Sequence, residues 1–186
     1  ALRSLPGTPA SDALLTDSQL LAANISTAEF FRRYFGMFPT TYRDQPAVRR
    51  LVCPNGGAGD CGPNIASLYA SGARMIWIDG GATISSNLAL GTLADPVLLI
   101  VSGGDLNISA GFLAAGLVSV EGNITWTGSG VASSLLSGGM MATGDIRFVG
   151  TSAVAYSPAV FRTLKHRVGS FVRVAGSHGD KNDGYN

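Results

Sequence analysis

The segment Gly57-Ala58-Gly59-Asp60-Cys61-Gly62 matches the pattern G-x-G-x-x-G letter for letter. In dinucleotide-binding proteins those glycines let the backbone approach a pyrophosphate, and the helix that follows offers its free amide groups. A strand-like run from Val48 to Cys53 precedes the segment, and Asp79 lies 22 residues beyond Gly57. Three features weigh against a nucleotide site. Pro54-Asn55 separates the run from the glycines, so the turn is not tight. The next expected helix begins near Pro63, outside the motif. A Rossmann domain also needs further strand–helix units, and residues 80–156 supply none. No cofactor is expected. The only two cysteines explain the segment better. Cys53 and Cys61 bracket Pro-Asn-Gly-Gly-Ala-Gly-Asp, a flexible loop able to bring them together as one disulfide in an oxidising compartment. Closing so short a loop stabilises by about 2–3 kcal/mol. The alternative is two buried thiols in a reducing compartment.

Other chemistry-bearing residues are sparse. Ser177, His178 and Asp180 are the letters of a hydrolytic triad, but four residues are too few to fold into a nucleophile–base–orienter chain. His166 sits between Lys165 and Arg167, where cations favour a helix C-terminus. Neither histidine has zinc-ligand spacing relative to the cysteines, so no metal site is expected. Asp105 and Asp145 fall at equivalent turn positions and are expected to accept turn hydrogen bonds. Three glycosylation sequons begin at Asn24, Asn107 and Asn123, at a frequency chance allows in a chain rich in Ser, Thr and Asn. No catalytic residue is assigned, and the protein is expected not to be an enzyme. Arg32, Arg33, Arg49 and Arg50, close to aromatic residues, are the candidate partner-binding side chains, because Arg and aromatics are enriched in interface hot spots.

These residues need a scaffold, and composition describes it. The chain has 186 residues, 13% charged and 46% hydrophobic, with a net charge of +1. That excludes a disordered chain and leaves no global field to attract nucleic acid or membrane surfaces. Twenty-five glycines are about twice the usual share of roughly 7% and mark frequent turns. From Met75 to Gly150 there are only six charges: Asp79, Asp95, Asp105, Glu121, Asp145 and Arg147. Within this stretch one unit recurs four times: an apolar run, a glycine turn, and a segment alternating apolar and polar residues. Gly80, Gly104, Gly122 and Gly144 align, with apolar residues two and four positions later: Ala82/Ile84, Leu106/Ile108, Ile124/Trp126 and Ile146/Phe148. Period two with one apolar face predicts half-buried strands. Repeats near twenty residues, with no room for a helix, predict a mainly β fold: a right-handed parallel β-solenoid whose inward residues stack coil on coil. Small residues such as Ala114, Ala115 and Ala142 suit a narrow interior. An antiparallel meander or sandwich is the rival, since alternation alone does not set strand direction.

The flanks differ. Leu14, Leu15, Leu20 and Leu21 follow two helix starts, Ser11 and Thr16. Ser26 and Glu29 read as a capping box ahead of Phe30, Phe31, Tyr34 and Phe35, an aromatic stripe expected to pack against the domain. Short helices are expected at Pro39–Asp44, at residues 61–72 and at Pro158–Arg167 with Ser157 as N-cap, and a last strand at Ser170–Val174. The division is residues 1–72, a helical capping region with the Cys loop; 73–156, the solenoid; and 157–186, a helix, strand and tail. No apolar run is long enough for a membrane helix. The chain opens at Ala1 with no Met, which reads as a fragment or processed form whose targeting or anchoring segment is gone.

The order of features resembles a known family. It comprises Phe30-Phe31-Arg32-Arg33-Tyr34-Phe35-Gly36-Met37, the small Cys loop, Met75-Ile76-Trp77-Ile78-Asp79-Gly80, Pro96-Val97-Leu98-Leu99-Ile100-Val101, the G-D-L-x-I-S units, Tyr156-Ser157-Pro158-Ala159-Val160 and Val174-Ala175-Gly176-Ser177. Over roughly residues 28–180 this is similar to the C-terminal periplasmic region of PilX-type type IV pilus assembly proteins of Gram-negative bacteria, which look like minor pilins. The resemblance implies a structural, non-enzymatic role in pilus assembly or in the fibre. It implies other pilus proteins as partners, a periplasmic or cell-surface location, and membrane attachment only through an N-terminal helix absent from this sequence. It carries no catalytic residues. The tail departs from the pattern, reading Gly176-Ser177-His178-Gly179-Asp180 where the family pattern has Trp-Arg-Asp after the Ser. The alternative from another class is an extracellular carbohydrate-binding or carbohydrate-active β-solenoid.

Overall fold

Alternation and continuous apolar runs build different walls of one tube. The computed structural model describes residues 26–128 and 134–168. Its strands are β1 Val48–Leu51, β2 Met75–Asp79, β3 Ala82–Ile84, β4 Leu88–Leu90, β5 Val97–Ser102, β6 Leu106–Ile108, β7 Phe112–Val120, β8 Ile124–Thr127, β9 Ser134–Ala142, β10 Ile146–Val149 and β11 Ser152–Tyr156. Every pairing between these strands is parallel. They form a β-solenoid of about four turns. The offsets along β3, β6, β8 and β10 pair Ala82 with Leu106, Leu106 with Ile124 and Ile124 with Ile146. Those are the offsets of the four aligned glycines, so the expected repeat is the repeat of the coil, and the sandwich alternative falls.

The tube has three faces. Face 1 holds β1, β2, β5, residues 116–120 of β7 and residues 138–142 of β9. Face 2 holds β3, β6, β8 and β10. Face 3 holds β4, residues 112–114 of β7, residues 134–138 of β9, and β11. Strands β7 and β9 each serve two faces and bend at Gly116 and Gly138. A side chain at Gly116 would strike the carbonyl oxygen of Val97, and one at Gly138 that of Gly116, so the corner admits only glycine.

The interior is one apolar column, with Ile76, Ile78, Ile84, Leu99, Val101, Leu106, Ile108, Val120, Ile124 and Trp126 all fully buried. Ile146 and Phe148 join its edge. Ala114 and Ala142 face this column as expected, but Ala115 belongs to a second core outside the tube. That second core covers the outward side of face 1, where Met75, Trp77, Leu98, Ile100 and Leu117 meet helices.

The helices are α1 Thr27–Phe35, α2 Pro39–Arg43, α3 Gly62–Ala70 and α4 Pro158–Thr163, the last continuing into a π-helical turn, Leu164–Val168. Ser26 caps α1 by accepting the Glu29 N–H at 3.2 Å, and Gly36 ends it in the left-handed conformation (φ 74°). Ser157 occupies the N-cap position of α4 without a side-chain cap bond. The helices divide their work. Helix α3 covers the first coil, its Ile65 buried among Cys53, Cys61, Ile76 and Ile84. Helices α1 and α2 pack on the flank through Phe31, Phe35 and Tyr42, and α4 through Val160 and Leu164. End-capping therefore belongs to α3 alone among the described helices. The predicted helix among residues 11–24 and the predicted strand Ser170–Val174 lie outside the described residues.

Candidate functional site

The Cys loop is a staple between the cap and the first coil. Cys53 and Cys61 form a disulfide with Cα atoms 5.3 Å apart, and both are buried. The loop contains a 3-10 turn, Pro54–Gly57, and Gly57 adopts φ 97° with its backbone pressed against Gly81 of the first coil corner. Asp60 bridges in parallel to Thr83, and the Cys61 N–H donates to the Thr83 carbonyl at 2.7 Å. The Asp60 carboxylate accepts from the N–H groups of Gly62 and Ser85, each at 3.0 Å. Burial pushes the Asp60 carboxyl up, but hydrogen bonds from Ser86, Ser85 and Gly62 together outweigh it and hold the group below its ordinary value. The glycine motif thus has a structural account. Its glycines permit close packing on the coil, and the amide at the start of α3 already has an anionic partner from its own chain.

The four candidate arginines fall into two groups. Arg32 and Arg33 lie on the exposed side of α1 and share Glu29, Arg32 through two hydrogen bonds from Nε at 2.9 Å and from the guanidinium terminus at 2.5 Å. Hydrogen bonding from Arg32 holds the Glu29 carboxyl below its usual range. Arg32 also lies over the Phe38 ring at 5.5 Å. Arg50 instead joins a network with Arg43, Asp44 and Asp79. Its Nε and terminal nitrogen donate to Asp79 Oδ2 at 3.0 and 2.7 Å, while Trp77 Nε1 donates to Asp79 Oδ1 at 3.1 Å. Arg49, between Val48 and Arg50 on β1, donates to the Pro46 carbonyl at 2.8 Å. No carboxylate is shared between the Arg32/Arg33 group and the Arg50 group among the described residues.

The outer walls of faces 2 and 3 contrast sharply. On face 2, the aligned outward positions are Thr83, Asn107, Thr125 and Arg147. At the corner preceding them, Asp105 accepts the Asn123 N–H at 2.8 Å, and Asn123 Oδ1 accepts the Asp145 N–H at 2.9 Å. Asp105 therefore accepts a corner bond as expected, while Asp145 contributes its backbone amide to the same ladder. On face 3 the aligned outward positions are Ala89, Leu113, Leu135 and Ala153, then Ala115, Ser137 and Ala155. Leu113 and Leu135 are 44% and 39% exposed. With Gly91, Thr92 and Leu93 they line a shallow groove of about 240 Å³ without a charged residue. Sequence reasoning missed this surface. Its signal was present in the 22-residue spacing of Leu113 and Leu135, but that spacing does not say which side of the strand faces out.

Among the described residues no group of three or more His, Cys, Asp or Glu is placed to hold a metal ion, and no helix is long and apolar enough to cross a membrane. Ser177, His178 and Asp180 lie outside the described residues. No family model, no curated protein and no solved structure matches this chain.

Proposed function

We propose that this chain is a contact module of a bacterial type IV pilus system. It acts by binding other pilus or pilus-assembly proteins in the periplasm or at the cell surface. The resemblance of the sequence supplies the system, and one structural observation favours the mode of action. The Ala89–Leu113–Leu135–Ala153 ladder presents a shallow, uncharged apolar strip on a solenoid whose neighbouring face is polar. Surface of this kind is what protein contacts use. Arg32 and Arg33 add an exposed cationic rim on α1. A glycan-binding solenoid needs aromatic platforms along its coils, and the aligned outward positions of faces 2 and 3 hold Thr, Asn, Arg, Ala, Leu and Ser in their place.

The test is genetic and biophysical together. Arg32→Glu with Arg33→Glu, and separately Leu113→Asp with Leu135→Asp, are introduced into the gene in its host. Each pair is expected to leave the circular dichroism spectrum of the purified protein unchanged and to reduce piliation. Normal piliation in both double variants removes these surfaces from the proposal. Cleavage of a polysaccharide by the purified protein replaces the contact reading with an enzymatic one.

A further inference from the structure

The two ends of the solenoid are unequal. The first coil is closed by α3 and the Cys53–Cys61 loop, with Ile65 fully buried over the interior column. The last coil is formed by residues 139–142 of β9, β10 and β11, and each of these segments pairs on one side only among the described residues. Its inward side chains show the consequence. Met140, Ala142, Ile146, Phe148 and Val154 are only partly buried. Their partners one coil earlier, Val118, Val120, Ile124, Trp126 and Leu136, are at most 2% exposed. Helix α4 does not close this end, because Val160 and Leu164 pack on the flank of face 1.

A bare parallel edge usually carries devices that prevent pairing, such as proline, inward charges or bulges. Here the three segments contain no proline, and their single charge, Arg147, stands in the outward register of face 2. At the two ends of β10, the Asp145 carbonyl accepts from the Ile124 N–H at 2.8 Å and the Val149 carbonyl from the Gly128 N–H at 2.7 Å. The alternation of a strand therefore turns the N–H and C=O of Ile146 and Phe148 toward the free edge.

We infer that the last coil is a self-association surface, and that its occupant is the last coil of a second copy. Three considerations select a second copy over other occupants. A head-to-tail stack is blocked, because α3 covers the only other end of the tube. A two-fold axis through β10 sets β10 antiparallel to its copy and lays β9 of one copy beside β11 of the other, so three rims meet three rims in a closed, isologous contact. The surface bears almost no charge, so like meets like without repulsion. Segments of four to five residues at ~3.3 Å each and a strip ~10 Å wide give roughly 900 Å² buried in total. That lies just below the ~1,200–2,000 Å² of stable complexes, so the dimer is reversible and concentration-dependent. Self-association rests on this rim alone and does not depend on the pilus assignment.

Sedimentation velocity of the full chain, from about 1 to about 100 µM, is the direct test, since small interfaces dissociate in this range. A shift from monomer to dimer is expected, together with slower hydrogen exchange at Ile146 and Phe148 in the concentrated sample. Val154→Lys puts a charge on the inward rim and is expected to abolish the dimer. Asn107→Lys, on the outer side of face 2, is expected to leave it intact. A chain that stays monomeric at the highest concentration overturns the inference and gives the rim to residues 169–186 or to another protein. Loss of the dimer in Asn107→Lys, or its persistence in a folded Val154→Lys, moves the contact elsewhere and also overturns it. Should Val154→Lys fail to fold, the exchange measurement on the unaltered chain decides. Unchanged protection at Ile146 and Phe148 in a dimeric sample rejects the rim.

Discussion

Faces 1 and 2 are walls of the same tube, built by opposite rules. On face 2, Ile124 and Trp126 point inward and are fully buried, while Thr125 between them meets solvent. On face 1 the same alternation exists in geometry but not in chemistry. Ile76 and Ile78 enter the interior column, and Met75 and Trp77 are equally buried on the other side, under α1 and α2. Phe31 stacks on Phe35 at 4.2 Å and meets Trp77 edge to face at 5.6 Å. A strand covered on both sides becomes a continuous apolar run, as in Met75-Ile76-Trp77-Ile78 and Val97-Leu98-Leu99-Ile100-Val101. Face 3 has the outward chemistry of face 1 and the exposure of face 2.

The largest effect is expected in the interior column. Ile124→Asp places an unpaired carboxylate where nothing reaches solvent, and is expected to cost several kcal/mol, comparable to the whole stability of a domain. Loss of the folded circular dichroism signal checks it. A cooperative unfolding transition near that of the unaltered chain would show that the column is not where face 2 points. The flank core comes next. Trp77→Ala is expected to cost about 3–5 kcal/mol in denaturant titrations, because a large ring leaves a packed aromatic layer. A cost below 1 kcal/mol would make face 1 as one-sided as face 2.

Smaller effects sharpen the contrast between the closed and open ends. Replacing Cys53 and Cys61 by Ser is expected to lower stability by about 2–3 kcal/mol through the freed loop of the unfolded chain. Thiol alkylation without reductant, read by mass spectrometry, must find no free thiol in the unaltered chain. Asp60 gives the cap a pH dependence. Its carboxyl titrates lower in the folded chain than in the unfolded one, so its contribution is present above the unfolded value near pH 4 and is lost as pH falls through the folded one. Asp60→Asn is expected to flatten the acid limb of a stability–pH curve below about pH 4, and an unchanged acid limb would detach Asp60 from the cap. The smallest effect belongs to Thr125→Ala, expected within about 0.5 kcal/mol on the outer side of face 2.

Much of the tube was legible. Gly80, Gly104, Gly122 and Gly144 marked one corner of every coil: a side chain at Gly104, Gly122 or Gly144 would strike the coil beneath, and Gly80 turns with φ 92°. The disulfide followed from two cysteines eight residues apart around a flexible loop. The division of labour among the helices was not legible. The aromatic stripe of α1 announced a buried face but not the partner of that face, and an end of the tube and its flank are both apolar. Ala115 was placed inside by its size, yet the alternation of β7, with Ala114 inward, turns it outward. The arginines illustrate the same gap. Arg32 and Arg33 pair locally with Glu29, within reach of a helical turn, whereas Arg50 reaches Asp79 across 29 residues.

What the sequence determined by itself is whatever depends on periods and neighbours: the strand alternation, the coil length, the Ser26 and Gly36 caps, and the Cys53–Cys61 loop. These are local, because a two-residue period or a glycine turn acts over a few bonds. Tertiary structure alone decided which apolar surfaces meet. Trp77 and Leu113 are both outward-facing apolar residues of the same solenoid, yet Trp77 is buried under α1 and Leu113 stands in solvent. The hydrophobic effect acts on area and has no direction. It required that apolar walls be covered, but only the path of the chain, returning over face 1 from both of its flanks, selected the wall that was.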